Sequence, residues 1–162
     1  MAEQVTQTTQ YLTLTLDNEE FALEINKVRE VLEVTTITKV PQMPPFMCGV
    51  INLRGSVVPV VDMRMKFGLE ITSKTVNTCI IIVEINISTE KVVIGALVDS
   101  VREVIELDHK LIQPPPKIGT KLNTEFIKGM GKHNEGFLII LDIDKVFSQD
   151  ELMMASDISE AT

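Results

Sequence analysis

The side chains in this sequence that could hold a metal or act as nucleophiles are two histidines and two cysteines. His109 and His133 lie in polar stretches and have no partners at the spacing of metal ligands. Cys48 and Cys79 are far apart, match no metal or redox motif, and are flanked by apolar residues. These patterns predict surface histidines, buried free thiols in a reducing compartment, and neither a metal nor a cofactor.

Motifs that bind phosphate or activate a nucleophile are also missing from the sequence. Gly129-Met-Gly131 lies between two predicted strands and does not open a helix, which argues against a dinucleotide or phosphate loop. No serine occupies a nucleophile elbow, and no lysine occupies a phosphate-binding loop. Asp62 and Asp142 each end a predicted strand ahead of a short predicted helix, which is typical of helix caps. We therefore expect no catalytic site and no enzyme activity.

The composition favours a small cytoplasmic β protein. The chain has 162 residues, of which 44% are hydrophobic, with one Tyr and no Trp, so its core must be aliphatic. A net charge of −8 without a basic cluster argues against a nucleic-acid partner. The first ten residues lack the positive and apolar regions of a signal peptide. The apolar runs are shorter than the roughly 20 residues that cross a bilayer, so we expect no direct membrane insertion.

The spacing of apolar residues predicts strands along most of the chain. The alternating segment YLTLTL places Leu12, Leu14 and Leu16 on one face of a strand. A tight turn at Arg54-Gly55-Ser56 joins two further predicted strands, because glycine readily adopts positive φ. The other predicted strands cover 21–25, 28–34, 78–87, 92–98, 126–130 and 136–143, with helices over 63–67 and, at the C-terminus, over approximately 144–156.

The chain contains an internal repeat. KVREVLEV, residues 27–34, is similar to SVREVIEL, residues 100–107, at an offset of 73 positions. Further matches follow at an offset of 80, and a seven-residue insertion in the loop carrying Pro114–Pro116 accounts for the change. These matches pair Phe46, Gly49, Asp62 and Phe67 with Phe126, Gly129, Asp142 and Phe147. The repeat predicts two barrel-like lobes of about five short strands each, residues approximately 10–74 and 75–148, within one domain, residues 10–155.

Differences between the two copies indicate where function lies. Glu30 of the first copy is equivalent to Glu103 of the second, which favours a structural role for each. Arg54 and Pro59 occur in the first copy alone. Pro59 predicts an edge or bulged strand, because proline cannot donate to a sheet ladder. Arg54 and Glu30 are predicted to form an ion pair if their strands lie side by side; the alternative is an exposed pair of little energetic value.

The segment NLRGSVVPVVDMR, residues 52–64, followed by Lys66 and Phe67, resembles the hallmark of the CheW family of chemotaxis coupling proteins. Residues 95–99, the VREV segments and residues 126–129 are similar to the same family. The resemblance implies an all-β fold of two pseudo-symmetric SH3-like five-stranded barrels, packed around a shared hydrophobic core, with short helices including one at the C-terminus. It also implies a non-catalytic adaptor that is a monomer alone and joins arrays with its partners.

The implied partners are the regulatory domain of a CheA-type histidine kinase and the cytoplasmic tip of methyl-accepting chemoreceptors. By position, the resemblance implies a receptor-binding groove between the lobes, lined by Val28, Glu30, Val31, Arg54, Cys79, Val101 and Val104. Cys79 departs from the family, which more often carries a β-branched aliphatic residue there. A second kinase contact is implied at Gln113 and Ile118, where family members often carry a basic residue and an aromatic one.

Other functions remain open at this stage. The same hallmark occurs in the homologous regulatory domain of CheA-type kinases and in CheV-type adaptors. The chain contains no nucleotide-binding Asn or Gly boxes of a kinase. A third alternative is an enzyme whose site only the folded chain assembles. Strands that are apolar on both faces favour a binding module, because one face fills a barrel and the other must be covered.

Overall fold

Two β-sheets make up most of the structure, a computed structural model that describes residues 7–87, 90–115, 126–133, 135–148 and 150–154. The strands are β1 (Thr8–Leu16), β2 (Glu19–Glu24), β3 (Val28–Glu33), β4 (Met47–Leu53), β5 (Ser56–Asp62), β6 (Cys79–Ile87), β7 (Glu90–Val98), β8 (Ser100–Asp108), β9 (Ile112–Gln113), β10 (Ile127–His133) and β11 (Gly136–Leu141). The helices are α1 (Met63–Lys66), α2 (Ile143–Val146), a segment at 150–154, and the 3-10 turns Ile25–Lys27 and His109–Leu111.

The first sheet has the strand order β3-β6-β7-β5-β4, and the second has the order β8-β1-β2-β11-β10-β9. The two orders are equivalent under the sequence repeat, in which β1 to β5 correspond to β6, β7, β8, β10 and β11. The all-β class and the two SH3-like barrels predicted from the sequence are confirmed. The second sheet has six strands rather than five, because the short β9 pairs with β10. In the first sheet the equivalent of the β9–β10 pairing is a single bridge between Thr38 and Val50 of β4.

The sheets do not follow the predicted lobes, residues 10–74 and 75–148. The hairpin β1–β2 of the first repeat lies in the second sheet, and the hairpin β6–β7 of the second repeat lies in the first sheet. Each hairpin makes one parallel contact with the other repeat, β2 with β11 and β7 with β5. The sheets therefore divide the chain differently from the repeat, because each repeat completes its sheet with the hairpin of the other repeat.

The repeated VREV segment has the same local structure in both copies. The β3–β6 ladder shifts register between Val28 and Glu30, and the β8–β1 ladder shifts opposite the same part of the motif. At the second shift lies Thr13, which is 2% exposed; its hydroxyl accepts from the Glu103 amide and donates to the Glu103 carbonyl. The hydroxyl therefore satisfies backbone groups that the bulge removes from the ladder.

A shared aliphatic core lies between the two sheets. Leu12, Leu14 and Leu16 pack in it, as the alternating segment predicts, together with alternate residues of β6. Two intervening β6 residues, Ile80 and Ile82, belong to a smaller cluster on the other face of the first sheet. The central strand β6 is therefore buried on both faces, which explains its almost unbroken apolar sequence.

The short helices agree only in part with the predictions. The Asp62 carboxylate caps α1 by accepting from the amides of Arg64 and Met65 at 2.9 and 3.4 Å. Asp142 makes no such bond, and its carboxylate lies 4.0 Å from the Lys145 ammonium instead. The predicted C-terminal helix over 144–156 is also interrupted: α2 ends at Val146, and a second helical segment occupies 150–154. Residues 155 and 156 lie outside the described residues.

Pro59 lies at a position in β5 where a backbone N–H group would find no hydrogen-bond acceptor. Its cross-strand neighbour Val50 exchanges both backbone hydrogen bonds with Thr38, so the Val50–Pro59 pair is not hydrogen-bonded. On the other side, pairing of β5 with β7 begins only at Val60. The predicted edge character is therefore present in the first half of β5, although the Pro59 side chain is buried.

Gly49 and Gly129 are repeated because another backbone crosses close to each. A Cβ at Gly49 would lie 2.2 Å from the Thr38 carbonyl oxygen, and the residue has φ of +143°. A Cβ at Gly129 would lie 2.6 Å from Ile112 Cγ2 and 3.0 Å from the Gln113 carbonyl oxygen. Both glycines sit at register shifts in the β4–β5 and β10–β11 pairs. Glycine is therefore required wherever the crossing segment packs on a strand pair.

We predict that Gly49→Ala lowers the free energy of unfolding by at least about 2 kcal/mol, through backbone strain and the clash with Thr38. Chemical denaturation measures the change. Gly136→Ala is the matched control, because its Cβ would meet nothing nearer than the His133 carbonyl oxygen at 3.8 Å. The control is expected to change stability by about 0.5 kcal/mol or less. Equal effects of the two substitutions would contradict this explanation of the repeated glycines.

Candidate partner-binding site

A two-residue turn between β4 and β5 presents Arg54 to solvent. Arg54 and Gly55 have φ of 50° and 87°, the left-handed backbone that such hairpin turns require. The Asn52 side chain fixes the turn by accepting from the Gly55 amide at 2.8 Å. The Asn-Leu-Arg-Gly sequence therefore builds a defined platform for one exposed guanidinium group.

Arg54 and Glu30 form a bidentate ion pair. Arg54 Nη1 and Nη2 donate to Glu30 Oε1 and Oε2, each at 2.7 Å. The Arg54 side chain is 72% exposed and that of Glu30 is 27% exposed. The hydrogen bonds from Arg54 lower the pKa of the Glu30 carboxyl, and those to Glu30 raise the pKa of the Arg54 guanidinium. Both groups therefore stay charged at neutral pH and face solvent.

The predicted ion pair is present, but its strands are not hydrogen-bonded neighbours. β3 and β4 are the opposite ends of the first sheet, and Arg54 follows directly after β4. The side chains of the pair thus connect the two end strands of the sheet, which are not joined by backbone hydrogen bonds. Exposed ion pairs contribute about 0–1 kcal/mol to stability.

The predicted apolar residues of the groove fall into two groups. Val28, Cys79 and Val101 are half-buried and pack against the core between the sheets. Val31 and Val104 are 41% and 51% exposed. These two valines are equivalent in the repeat and lie on β3 and β8, the terminal strands of the two sheets. Apolar side chains are thus left uncovered on both terminal strands.

Both cysteines are half-buried rather than fully buried, which corrects the prediction. Burial, with the nearby Asp62 carboxylate, raises the pKa of the Cys48 thiol to about 11. The Cys79 thiol donates to the Asn77 carbonyl oxygen at 3.1 Å. The sequence neighbours of the two cysteines, Met47 and Ile80, are buried, at 8% and 0% exposed. Cys48 is therefore protonated at neutral pH.

The residues predicted for a second kinase contact are only partly described. Gln113 is exposed on β9, where it pairs with Met130 of β10. Ile118 lies outside the described residues.

Of the two histidines, His109 is exposed beside the Thr9 hydroxyl, whereas His133 is half-buried with Nε2 3.5 Å from Glu103. Both histidines were predicted to lie on the surface. His109 does, whereas His133 is half-buried.

Several ion pairs that join distant parts of the chain were not predicted from the sequence, and three of them involve the helical segments. These three are Arg64 with Asp99, Lys27 with Asp144, and Lys66 with Glu151, all at 2.8 Å or less. Arg64 and Lys66 belong to the hallmark segment, and this was the one sign in the sequence of a specific role for them. The partners, however, are far away in the sequence and follow no helical or strand spacing.

The Lys66–Glu151 pair fastens the C-terminal helical segment to α1. Lys66 Nζ donates to both Glu151 oxygens at 2.8 and 2.7 Å and lies 4.6 Å from the centre of the Phe46 ring. Glu151 also accepts from the Ser148 amide, while Ser148 Oγ accepts from the Glu151 amide. This reciprocal capping box begins the 150–154 segment, whose Leu152 is 3% exposed in the core.

Burial tends to raise the pKa of the Glu151 carboxyl, but hydrogen bonds from Lys66 and Ser148 hold it below its ordinary value of 4.5. A lowered pKa means that the pair stabilises the fold above pH 4.5 and loses this effect as pH falls through the folded-state pKa. We predict that Glu151→Gln costs about 1–2 kcal/mol at pH 7 and progressively less below pH 4.5. Thermal melts of both proteins across pH give the difference, and a cost independent of pH would contradict the assignment.

Within the described part of the chain, no cluster of three or more His, Cys, Asp or Glu residues could hold a metal ion. Among the described helices, none has the length and apolar character needed to cross a membrane. Two interlocked β-sheets, an exposed charged turn and uncovered apolar residues on terminal strands together define a protein-interaction domain of the paired-barrel class.

The CheW-like domain model matches residues 10–151, and the chain belongs to the CheW family of chemotaxis scaffold proteins. It is 34% identical over 152 residues to the chemotaxis protein CheW of Klebsiella aerogenes, covering 94% of this chain and 89% of that protein. The family predicted from the hallmark segment is thereby confirmed.

Two further comparisons agree. The crystal structure of the scaffolding protein TtCheW from Thermoanaerobacter tengcongensis has a TM-score of 0.78 and 36% identity, covering 90% of this chain and 96% of that one. The chemotaxis protein CheV3 of Helicobacter pylori is 27% identical over 144 residues, which are 87% of this chain and 44% of that protein. The similar regions belong to proteins named for chemotaxis, and none of these names indicates an enzyme.

Proposed function

We propose that this protein is a non-catalytic cytoplasmic adaptor that couples the cytoplasmic tips of chemoreceptors to a CheA-type histidine kinase. The observation that carries the proposal is the Arg54–Glu30 pair, a bidentate and solvent-facing pair that a defined turn holds on a CheW-family fold. The family resemblance implies receptor tips as the partner of this surface and the kinase regulatory domain as a second partner.

The receptor contact joins the ion pair to the exposed valines. Val31 follows Glu30 directly on β3, and Val104 is its equivalent on β8. An amphipathic receptor helix lying along these strands covers both valines with its apolar stripe, while its polar residues meet Arg54 and Glu30. Val28, Cys79 and Val101 form the base of this surface, because they already pack on the core.

The kinase contact is proposed for a different part of the protein, so that one adaptor can bind both partners. Gln113, exposed on β9, and Ile118 are the candidate residues. Each contact is weak individually, and arrays of many receptors and kinases multiply their strength. The chain is proposed to be a monomer when its partners are absent.

A CheV-type adaptor is the second candidate, because the same domain is similar to part of CheV3. The two roles differ in what is sufficient for coupling. A chain of these 162 residues that supports kinase stimulation by itself has the CheW-type role. A requirement for an additional domain in the same polypeptide would favour the CheV-type role instead.

We predict that Arg54→Glu weakens binding to receptor signalling fragments by about tenfold or more, because it places two carboxylates together and removes the guanidinium. Adding Glu30→Arg restores opposite charges and is expected to recover binding if the pair acts as a unit. Receptor pull-down and titration measure both effects. Thermal stability should stay close to that of the wild type, because the pair is exposed.

Lys91→Glu is the matched control for the Arg54 variant. Lys91 is 71% exposed and lies 3.3 Å from Glu84, so the substitution makes the same charge change at a similar exposure elsewhere on the first sheet. The control is expected to bind receptor fragments normally. Equal losses for both variants would indicate a general charge effect, and an unchanged Arg54→Glu protein would contradict the proposed contact.

We predict that Val104→Asp also weakens receptor binding about tenfold, because a carboxylate on this strand cannot be covered by an apolar helix face without desolvation. Val76→Asp is its control, since Val76 is 99% exposed in the loop before β6. Both folded proteins should keep their thermal stability. A receptor affinity of Val104→Asp equal to that of the control would show that β8 does not take part.

A further inference from the structure

Each terminal strand carries a glutamate on the same face of the sheet as its exposed valine. In the β3–β6 ladder, Val31 pairs with Ile81 and Glu33 pairs with Cys79. Residues that pair directly across an antiparallel ladder share a face of the sheet. Ile81 and Cys79 both pack in the core between the two sheets. Val31 and Glu33 therefore lie on the face of the first sheet that contains this shared core.

Strand β8 repeats this arrangement in the second sheet. Val104 pairs with Leu12, which packs in the same core, and Glu106 pairs with Gln10. Glu106 is equivalent to Glu33 at the offset of 73 positions, and both glutamates are exposed. Each valine is thus followed, two residues further along its strand, by an exposed carboxylate. We call these valine–glutamate sets the terminal-strand stripes: Val31 with Glu33, and Val104 with Glu106.

The arginines of the repeated motif are turned to the other faces of the sheets. Arg29 Nε lies 3.6 Å from a carboxylate oxygen of Glu84, which stands between two core residues of β6. Arg102 Nε lies 3.9 Å from a carboxylate oxygen of Glu20, which precedes a core phenylalanine of β2. Successive residues of a strand point to opposite faces, so both carboxylates lie on the side away from the shared core. The cations of the motif are thereby separated from the glutamates of the stripes.

The glutamates that neighbour the stripes are paired with arginines. Glu20, Glu30 and Glu84 each form such an ion pair. Within the described part of the chain, neither the Glu33 nor the Glu106 carboxylate takes part in a hydrogen bond or an ion pair. The feature that these two glutamates share is their place beside an uncovered valine, on the strands proposed to bind a receptor helix.

The spacing within a stripe matches one turn of an α-helix. Residues two apart on a strand are separated by about 6.7 Å, and four residues of helix rise about 6 Å. A helix that lies along β3 with an apolar side chain over Val31 therefore places a side chain of the next turn, on the same helix face, opposite Glu33. The same relation holds for Val104 and Glu106 on β8.

We propose that Glu33 and Glu106 select helices that carry a lysine or arginine one turn from the apolar residue covering a stripe valine. The inference rests on the proposed function, because its occupant is the receptor helix assigned to these strands. A cation at that place is attracted to the stripe carboxylate, whereas a carboxylate there is repelled. Because each glutamate lies on one side of its valine alone, it also sets the direction of the helix along the strand.

The net charge of −8 cannot make the same selection. It attracts every cationic helix over long distances and to a similar extent, and salt weakens this attraction. A stripe glutamate instead distinguishes two helices of equal net charge by the position of one cation. Peptides that differ in this position alone therefore separate the two effects.

The test uses two cross-linked helical peptides of the same composition and net charge, both with a row of leucines along one face. The same-face peptide places a lysine in line with this row, one turn beyond its last leucine. The opposite-face peptide places that lysine on the other side of the helix. We expect the wild-type protein to bind the same-face peptide about fivefold more tightly, as measured by calorimetric titration at low salt.

Substitutions of the stripe glutamates should change this preference in a graded way. Glu33→Gln with Glu106→Gln is expected to bind the two peptides equally, because the carboxylates are gone. Glu33→Lys with Glu106→Lys is expected to prefer the opposite-face peptide, because the same-face lysine now meets a cation. Thermal melts should show both variants folded, since the substituted side chains are exposed. The glutamine variant decides the question by itself if the lysine variant does not fold.

The matched control is Glu19→Lys with Glu90→Lys, which makes the same charge change at two other exposed glutamates. Glu19 pairs with the last residue of β1 and Glu90 with the last residue of β6. The partners of the stripe glutamates lie near the beginnings of the same two strands. The control is therefore expected to keep the wild-type preference for the same-face peptide.

Equal binding of the two peptides by the wild-type protein would overturn the inference, as would a control that loses the preference to the same extent as the stripe variants. Receptor signalling fragments that bind while neither peptide does would also overturn it, because a single helix would then not be recognised. In these cases the fragments still bind and the proposed function stands. If neither fragments nor peptides bind the folded protein, the proposed function fails together with the inference.

Discussion

The structure depends on one constraint: neither repeat can complete a sheet with its own strands. Each sheet takes its central hairpin from the other repeat, and β6 is buried on both faces as a result. The shared core, the two crossovers and the position of α1 and α2 all follow from this exchange. A chain built in this way is expected to unfold as one cooperative unit, because removing either hairpin opens both sheets.

The candidate binding site is a consequence of the same arrangement. The exchange leaves β3 and β8 as terminal strands, each with a bulged VREV segment and an exposed valine. The first sheet is closed across its edges by the Arg54–Glu30 pair rather than by a ladder. An apolar surface next to a fixed ion pair suits a helical partner. The apolar surface contributes affinity, and the ion pair orients the partner.

Much of the local structure can be predicted from the sequence, because alternation, glycine and proline act over short distances. The β1 pattern, the Arg54-Gly55 turn, the Asp62 cap and the repeated order of strands are examples. The exchange of hairpins cannot be predicted in this way, because the aliphatic pattern of either hairpin fits either sheet. Asp142 shows a further limit, since its position matches Asp62 but its carboxylate makes no cap. The Arg64–Asp99 and Lys27–Asp144 ion pairs join residues 35 and 117 positions apart, so no local spacing reveals them.

Reconstitution of the three components tests most directly the proposed role of this protein in joining receptors to a kinase. Receptor signalling fragments assembled on vesicles are sedimented with a CheA-type kinase, with and without the adaptor, and kinase activity is measured in the pellet. We expect the kinase to sediment and to be stimulated only when the adaptor is present. Equal sedimentation and activity without the adaptor, or an adaptor that binds neither component, would contradict it.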